Sequence, residues 1–216
     1  MFVDRADAGR RLALAMKDYS AQEPVVLAIA RGGVEVGYQV ARNLQSQLDV
    51  IVARKLPYPQ NSEAGFGAVA EDGSTFIFPS AFEIFSKQTI NQIIHQQEDE
   101  LYRRIGALRA GHPLLDIEGR TVILVDDGVA MGSTMRVCIT LCKNRKAGKI
   151  IVASPVAGVQ TAKELSALAD EVIILDTPAD FHAVAQVYLN WYDVSDREVI
   201  DIMQRWEYEK VQVIGY

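Results

Sequence analysis

The sequence has few of the residues on which several common kinds of site depend. It contains only two cysteines and three histidines in 216 residues. The cysteines, Cys138 and Cys142, lie one helical turn apart with no histidine near them in sequence, so we expect buried, reduced thiols and neither a metal site nor a redox site. The histidines are scattered, and no Ser–His–Asp arrangement can be assembled from them. Hydrolytic triads and zinc sites are therefore not expected.

Basic charge and long apolar runs are also missing. The formal net charge is −6, which argues against nucleic acid as the main partner, because nucleic acids are bound by basic surfaces. No apolar run approaches the length of a membrane span, and no basic-then-apolar segment follows Met1. We therefore expect a soluble, cytoplasmic protein whose partners are small molecules rather than nucleic acids or membranes.

Five runs of aliphatic residues predict the strands of a sheet. None of them alternates apolar and polar residues, which is typical of strands buried on both faces. Helical segments separate them, and this order predicts an α/β fold with a parallel sheet flanked by helices. With 49% hydrophobic residues, the chain can bury the core of one domain. The predicted strands span residues 25–30, 49–53, 121–125, 149–154 and 171–175, within a single domain of residues 1–216.

Helical periodicity and capping signals predict the intervening helices. The first helix is amphipathic and places Arg5 on its solvent face. Two capping boxes, Thr161 with Glu164 and Ser195 with Glu198, predict the starts of the last two helices. The predicted helices cover residues 4–19, residues 34–44 after a glycine turn, residues 82–108, residues 133–146, a segment from 161, and residues 195–207.

Residues 56–113 form an insertion with a different composition. Prolines, glycines and small polar residues fill its first part, residues 56–74, and a segment of that length without regular structure is most often a functional lid. Residues 67–70 and 75–78 could pair as a short hairpin around Asp72-Gly73. The long helix of residues 82–108 follows. We therefore predict a mobile lid, a hairpin and a helix in series.

The stretch TVILVDDGVAMGST, residues 121–134, predicts a site for a phosphorylated sugar. A strand, a glycine-bearing loop and a helix capped by Ser133 or Thr134 would point free amides at an anion. Asp126 and Asp127 stand at the end of the strand and would repel phosphate unless something lies between. Sugar hydroxyls, which donate hydrogen bonds to carboxylates, and Mg²⁺ are the natural intermediaries.

Two other predicted strand ends carry basic residues. Arg31-Gly32-Gly33 follows the first strand and begins a second helix, and Arg54-Lys55 follows the strand of residues 49–53. Ligands of open parallel sheets lie at the carboxyl ends of the strands, where the strand order reverses. Two basic clusters and one phosphate loop at that edge indicate a ligand with more than one phosphate group.

These segments resemble a known family. VILVDDGVAMGST is similar to the phosphoribosyl pyrophosphate signature of the type I phosphoribosyltransferases. The stretches FVDRADAGRRLA, LAIARGGVEVG, VIVARKLPYP, GAVAEDG and TPADFHAVAQVY resemble a bacterial group of that family whose acceptor is unassigned. The resemblance covers nearly the whole chain. It implies a type I phosphoribosyltransferase fold with a flexible hood, and transfer of phosphoribosyl from its pyrophosphate to a nitrogenous base, with Mg²⁺ as cofactor.

The resemblance also implies roles for individual residues. Asp126 and Asp127 would hold the ribose hydroxyls, directly or through Mg²⁺. Lys55, with Arg54 behind it, would meet the leaving pyrophosphate, for which Arg31, Gly32 and Gly33 form the family's loop. Phe181 lies where the family places residues around the acceptor base, although a core position is an equal alternative for Phe181 and for Tyr188. The loop expected to bind the 5-phosphate comprises Gly128, Val129, Ala130, Met131, Gly132, Ser133 and Thr134.

One departure from the family keeps other functions open. Met131 stands where the family usually has threonine, and the missing hydroxyl removes a contact worth about 1.5–3 kcal/mol, or roughly 10- to 100-fold in affinity. A non-catalytic sensor of the donor or of a nucleotide is therefore an alternative, and a hydrolase of the donor is a weaker one. The oligomeric state is left open between a monomer and a homodimer.

Overall fold

The computed structural model describes residues 1–214, of which residues 62, 63 and 211–214 are described in their backbone course alone. It contains one five-stranded sheet and one three-stranded sheet. The strands are β1 Val25–Ile29, β2 Gln47–Ile51, β3 Ala53–Tyr58, β4 Asn61–Ala70, β5 Thr75–Ile77, β6 Thr121–Val125, β7 Lys149–Val156 and β8 Glu171–Asp176. The helices are α1 Arg5–Ala15, α2 Gly33–Leu44, α3 Ala81–Ile84, α4 Lys87–Arg109, α5 Ser133–Asn144, α6 Val159–Ser166 and α7 Asp196–Ile214. None of these helices is long and apolar enough to cross a membrane.

The large sheet is parallel throughout, as the sequence predicts. Its strand order is β2-β1-β6-β7-β8. The chain therefore runs outward from β1 to β2 and later returns to the other side of β1 with β6. The order reverses between β1 and β6, and their carboxyl ends are where a ligand of such a sheet is expected to lie.

Helices cover both faces of this sheet. On one face α1, α2, α4 and α7 contribute buried residues such as Leu12 and Trp206, which belong to the same cluster as Val26 of β1. On the other face α5 and α6 pack against residues such as Leu27, with Val137 at the centre of α5. Because both faces of each central strand are buried, these strands are apolar throughout and do not alternate apolar with polar residues. The prediction made from their sequences is therefore confirmed. Cys138 and Cys142 are buried and free, as expected.

The segment predicted to be a lid folds as a small antiparallel sheet. Residues 53–70 form the hairpin of β3 and β4, and the expected pairing of residues 67–70 with 75–78 is confirmed as the contact of β4 with β5. Leu56 and Phe66 are completely buried, and Phe66 packs against Phe85 at a ring separation of 5.3 Å. Apolar packing of this kind holds the segment as a sheet. The expectation that residues 56–74 lack regular structure was therefore wrong, and their role as a mobile lid stays a prediction.

The predicted strand of residues 49–53 is also wrong in extent. β2 ends at Ile51, and Ala53 begins β3 of the second sheet, so Arg54 and Lys55 lie within the hairpin rather than at a strand end of the large sheet. The predicted helix of residues 82–108 is divided, because Ser86 is extended and its side chain accepts a hydrogen bond from the Thr89 amide as the N-cap of α4.

Of three further predicted helix boundaries, one is confirmed and two are wrong. The first helix ends at Ala15 and is followed by a 3-10 turn, short of the predicted residue 19. The capping box of Ser195 and Glu198 is confirmed by hydrogen bonds in both directions, of 2.8 and 3.2 Å. The box of Thr161 and Glu164 is wrong, because α6 already begins at Val159 and places Thr161 inside the helix.

Candidate active site

The loops after β1 and β6 meet at the edge of the sheet where the strand order reverses. A Cβ atom added to Gly32 would lie 1.9 Å from Asp127 Oδ2, and one added to Gly33 would lie 2.7 Å from the Val125 carbonyl oxygen. Only glycine allows an approach this close. The structure therefore brings together the two predicted segments, the Arg31-Gly32-Gly33 turn and the Asp126-Asp127 pair.

The two aspartates are joined by a hydrogen bond, and Asp127 is buried whereas Asp126 is partly exposed. Asp126 Oδ1 accepts a hydrogen bond of 2.9 Å from the Asp127 amide, and the hydroxyl of Tyr188 donates one of 2.6 Å to the Asp127 carbonyl. Burial, and next the charge of Asp127, raise the pKa of Asp126 well above its usual value. Burial also raises the pKa of Asp127, against the opposing charge of Arg5. A cation placed between the carboxylates would favour their ionised forms.

Arg5 is a site residue that sequence reasoning missed. Its side chain lies inside the protein rather than on the predicted solvent face, with 5% of the residue exposed. Its Nε donates to Asp127 Oδ2 at 2.7 Å and its Nη1 to the Tyr192 carbonyl at 2.9 Å, and its guanidinium carbon lies 4.0 Å from the centre of the Trp191 ring. Periodicity could not reveal this position, because the partners are remote in sequence.

The loop of residues 128–134 presents free amides, as predicted, with one exception. The Val129 amide donates to the Val156 carbonyl at 2.9 Å, because this residue continues the contact with β7, and it is therefore unavailable to a ligand. The other amides have no acceptor within the described part of the chain. They belong to Gly128, Ala130, Met131, Gly132, Ser133 and Thr134.

The loop reaches α5 through a glycine and is held from outside by a threonine. Gly132 has φ of 75° and is the N-cap, so the prediction that Ser133 or Thr134 caps the helix was wrong. The hydroxyl of Thr161 donates to the Ala130 carbonyl at 2.7 Å. Thr161 therefore does not cap α6 as predicted; its hydroxyl anchors the loop backbone. Met131 points outward and is 62% exposed.

A cavity of about 320 Å³ opens beside the aspartates. Arg31 and Arg54 line it, as expected of substrate-binding residues, whereas Lys55 does not. Neighbouring residues of a strand point to opposite faces, and the Lys55 side chain lies over Gly65 in the hairpin. The role of Lys55 stays a prediction. The lining residues are Arg5, Arg31, Gly32, Arg54, Arg104, Asp127, Val184, Trp191, Asp193 and Val194.

The connection after β8 forms one wall of the cavity, but not through Phe181. Phe181 is half-buried and packs against the cluster that contains Phe2 and Tyr188, and its role at an acceptor stays a prediction. Val184 and Trp191 line the cavity instead. Tyr188 packs on the Trp191 ring at 5.3 Å, so it is both a core residue and a support for this wall.

The aspartate pair fits Mg²⁺ when a phosphorylated ligand completes the coordination. No group of three or more acidic, histidine or cysteine side chains within the described residues could hold a metal by itself. Mg²⁺ commonly binds through one or two carboxylates together with substrate phosphates and water. Asp126 and Asp127 supply such carboxylates, although Arg5 already holds one oxygen of Asp127.

The chain is similar in sequence to phosphoribosyl transferases and in structure to a solved protein of Thermus thermophilus. Residues 4–190 match the family model described as "Phosphoribosyl transferase domain". In two strains of Mycobacterium tuberculosis, a protein named "Putative phosphoribosyl transferase" is 37% identical over 207 residues, which are 95% of this chain and 47% of that protein. The crystal structure of TT1426 from Thermus thermophilus is 37% identical, with a TM-score of 0.79 over 95% of this chain and 99% of that one. The chain thus spans about half the length of the curated relatives that it matches.

Proposed function

The chain belongs to the phosphoribosyl transferase domain family, and we propose that it transfers a phosphoribosyl group from phosphoribosyl pyrophosphate to a nitrogenous acceptor. One observation carries the proposal most directly. The free amides of residues 128 and 130–134 lie next to Asp126 and the buried Asp127, at the point where the strand order reverses. Phosphate suits the amides and ribose hydroxyls suit the carboxylates.

Each part of the donor then has a place in the site. The 5-phosphate would bind at the start of α5, where the amides and the positive end of the helix dipole coincide. The 2- and 3-hydroxyls would donate hydrogen bonds to Asp126 and Asp127. The pyrophosphate would extend along the Arg31-Gly32 turn, toward the cavity that these residues line. Lys55 lies over Gly65 outside this cavity and would have to move to contact the pyrophosphate.

The reaction replaces one bond at C1 of the ribose. The bond from C1 to the pyrophosphate oxygen breaks, and its electron pair leaves with pyrophosphate. The acceptor nitrogen supplies the electron pair of the new bond, and where that nitrogen carries a proton, the proton passes to water or to the released pyrophosphate. Asp126 and Asp127 stabilise positive charge on the ribose as the bond breaks, and the cavity arginines stabilise the leaving group. When bound, Mg²⁺ would neutralise further charge on the pyrophosphate.

A sensor of the donor or of a nucleotide is the second candidate. Two observations favour it: Met131 supplies no hydroxyl to the phosphate loop, and Arg5 already neutralises Asp127. A sensor needs affinity for the donor but no stabilisation of the ribosyl cation. Turnover therefore distinguishes the two candidates.

The test compares turnover with donor affinity in Asp126→Asn. Pyrophosphate release would be measured with a panel of purine, pyrimidine and pyridine bases, and donor affinity by calorimetry. We expect kcat to fall further than affinity, because the amide can still accept ribose hydrogen bonds but carries no charge. Asp193→Asn, on the same cavity but exposed, is the matched control and should change kcat little. No release from wild type with any base, while the donor binds, would favour the sensor.

Cellular location and assembly remain proposals as well. We propose a cytoplasmic location, in keeping with two free and buried cysteines. A homodimer is proposed from the family resemblance alone. Light scattering of the purified chain, with and without donor, tests the assembly.

A further inference from the structure

A single carboxylate joins the entry and the exit of the insertion. We define the insertion unit as residues 53–109, which hold β3, β4, β5, α3 and α4. Glu71 directly follows β4. Its Oε2 accepts a hydrogen bond of 3.1 Å from the amide of Val52, the one residue between β2 and β3. Its Oε1 accepts one of 2.9 Å from Nη2 of Arg109, the last residue of α4. Glu71 therefore connects the two ends of the insertion unit.

The ion pair of Glu71 with Arg109 is the most deeply buried one among the described residues. Only 3% of the Glu71 side chain and 6% of the Arg109 side chain are exposed. A pair so buried adds little net stability, because both charges lose their water. It does hold its partners together, because a charge left alone in the interior is costly. The pair is therefore better suited to fixing a position than to stabilising the fold.

Arg109 uses only part of its guanidinium group in this contact. Nη2 bonds Glu71, whereas Nε and Nη1 are buried and have no hydrogen-bond partner among the described residues. The usual advantage of arginine over lysine is a planar fork of several donors. Glu71 does not engage that fork, so a single ammonium group at this position would keep the contact.

The insertion unit carries two of the arginines that line the active-site cavity. Arg54 lies two residues beyond the entry of the unit, and Arg104 lies five residues before its exit. Five residues of an α-helix extend about 7.5 Å, so both arginines are rooted near the contacts that Glu71 makes. Arg54 also donates to Gln97 of α4 at 3.2 and 3.0 Å, which links β3 to α4. Glu71 itself does not line the cavity.

We propose that Glu71 is a positioning residue that holds the insertion unit, and with it Arg54 and Arg104, in place beside the active site. The inference rests on the proposed function in taking phosphoribosyl pyrophosphate as the ligand that these arginines meet. Without the ion pair, the two ends of the unit are no longer fixed to each other, and both arginines shift relative to Asp126. A misplacement of about 1 Å far from the reacting atoms can cost about 100-fold in rate. The loop of residues 128–134 follows β6 of the large sheet and keeps its place.

Calorimetry with two ligands separates positioning from overall stability. Ribose 5-phosphate would meet only the loop and the aspartates, whereas phosphoribosyl pyrophosphate would also reach the insertion unit. The test variant is Glu71→Gln, which keeps an acceptor for the Val52 amide but carries no charge. We expect it to lose roughly tenfold or more in affinity for phosphoribosyl pyrophosphate with Mg²⁺, and less than about threefold for ribose 5-phosphate.

Two further variants serve as controls. Arg109→Lys keeps the buried charge and should lose less than about threefold in affinity for either ligand. Asp49→Asn should behave in the same way, because Asp49 accepts amide hydrogen bonds from Val50 at 2.7 Å and Leu115 at 2.9 Å, both outside the insertion unit. If Glu71→Gln does not fold, the double variant Glu71→Gln with Arg109→Met takes its place with the same expectations, because it leaves no buried charge unpaired.

Hydrogen exchange tests the same role without any ligand. In Glu71→Gln we expect the amide exchange rates of residues 53–70 and 100–109 to rise at least about tenfold more than those of β6 and β7. Equal losses of affinity for the two ligands, or an unchanged affinity for phosphoribosyl pyrophosphate, would overturn the positioning role. Exchange that is unchanged, or that rises equally in both sheets, would also overturn it. A wild-type chain that does not bind phosphoribosyl pyrophosphate would refute the proposed function alone, and the exchange pattern would then decide whether Glu71 holds the insertion unit.

Discussion

Replacing Arg5 by methionine should destabilise the folded protein far more than replacing Arg11, an exposed paired arginine of α1. Arg5 and Asp127 form a buried ion pair, with 6% and 11% of their side chains exposed. Removing one partner of a buried pair leaves the other charge without compensation, which costs about 3–5 kcal/mol. For a domain of this size that loss corresponds to a fall in Tm of about 6–20 °C. Arg11→Met is the control, because Arg11 pairs with Asp7 at 2.8 Å while 49% exposed, and such pairs contribute about 0–1 kcal/mol.

The loss in Arg5→Met should also depend on pH. Burial raises the pKa of Asp127, and removing the opposing guanidinium raises it further. The folded variant then binds a proton at Asp127 at a pH where the unfolded chain does not. Stability therefore increases as pH falls, and the deficit against wild type should be larger at pH 8 than at pH 5.

Thermal denaturation at several pH values tests this reasoning. The double variant Arg5→Met with Asp127→Asn should be more stable than Arg5→Met alone, because no unpaired charge is left in the interior. An Arg5→Met variant that loses no more stability than Arg11→Met would refute it, and so would a deficit that grows toward low pH.

Three further predictions concern the loops of the site, each measured by calorimetry with phosphoribosyl pyrophosphate. Gly32→Ala should reduce donor affinity at least about tenfold, since its methyl group would collide with Asp127. The control is Gly106→Ala on α4, where a methyl group meets open space; it should leave affinity unchanged and raise stability by about 0.5–1 kcal/mol. Met131→Thr should tighten donor binding by up to roughly 10- to 100-fold through a new hydroxyl contact; no gain would mean that the loop suits another ligand. Thr161→Val should weaken donor binding about fivefold, because it removes the hydrogen bond to the loop backbone, worth about 1 kcal/mol. An unchanged affinity would show that Thr161 does not hold the loop for binding.

The parallel sheet and its phosphate loop could be predicted from sequence because each depends on local signals. Strands buried on both faces consist of aliphatic residues whatever their neighbours are, and the loop after β6 carries its glycine, aspartates and hydroxyls within a few positions. The edge of the sheet that carries the candidate site could be predicted from the polar residues at the strand ends. Its components Gly32 and Asp127 do lie in contact.

The remaining features depend on contacts between distant segments. Arg5 looks like a solvent-facing residue of an amphipathic helix, and its burial is explained by contacts with Asp127, Trp191 and Tyr192, which are remote in sequence. The hairpin of residues 53–70 was hidden by glycines and by Pro57, which weaken a strand pattern, although Leu56 and Phe66 fill its core. Arg104 lies on a helix with regular ion pairs, and nothing in its sequence neighbourhood distinguishes it from Arg103.

Product analysis tests the central claim most directly. The protein would be incubated with phosphoribosyl pyrophosphate, Mg²⁺ and the panel of bases, and the mixture followed by phosphorus NMR and mass spectrometry. The account predicts a new nucleotide, with the mass of one base joined to ribose phosphate, in the same amount as released pyrophosphate, and its loss in Asp126→Asn. Pyrophosphate with ribose 5-phosphate alone would indicate a hydrolase. Tightly bound but unchanged donor with every base would contradict the transferase and support a sensor.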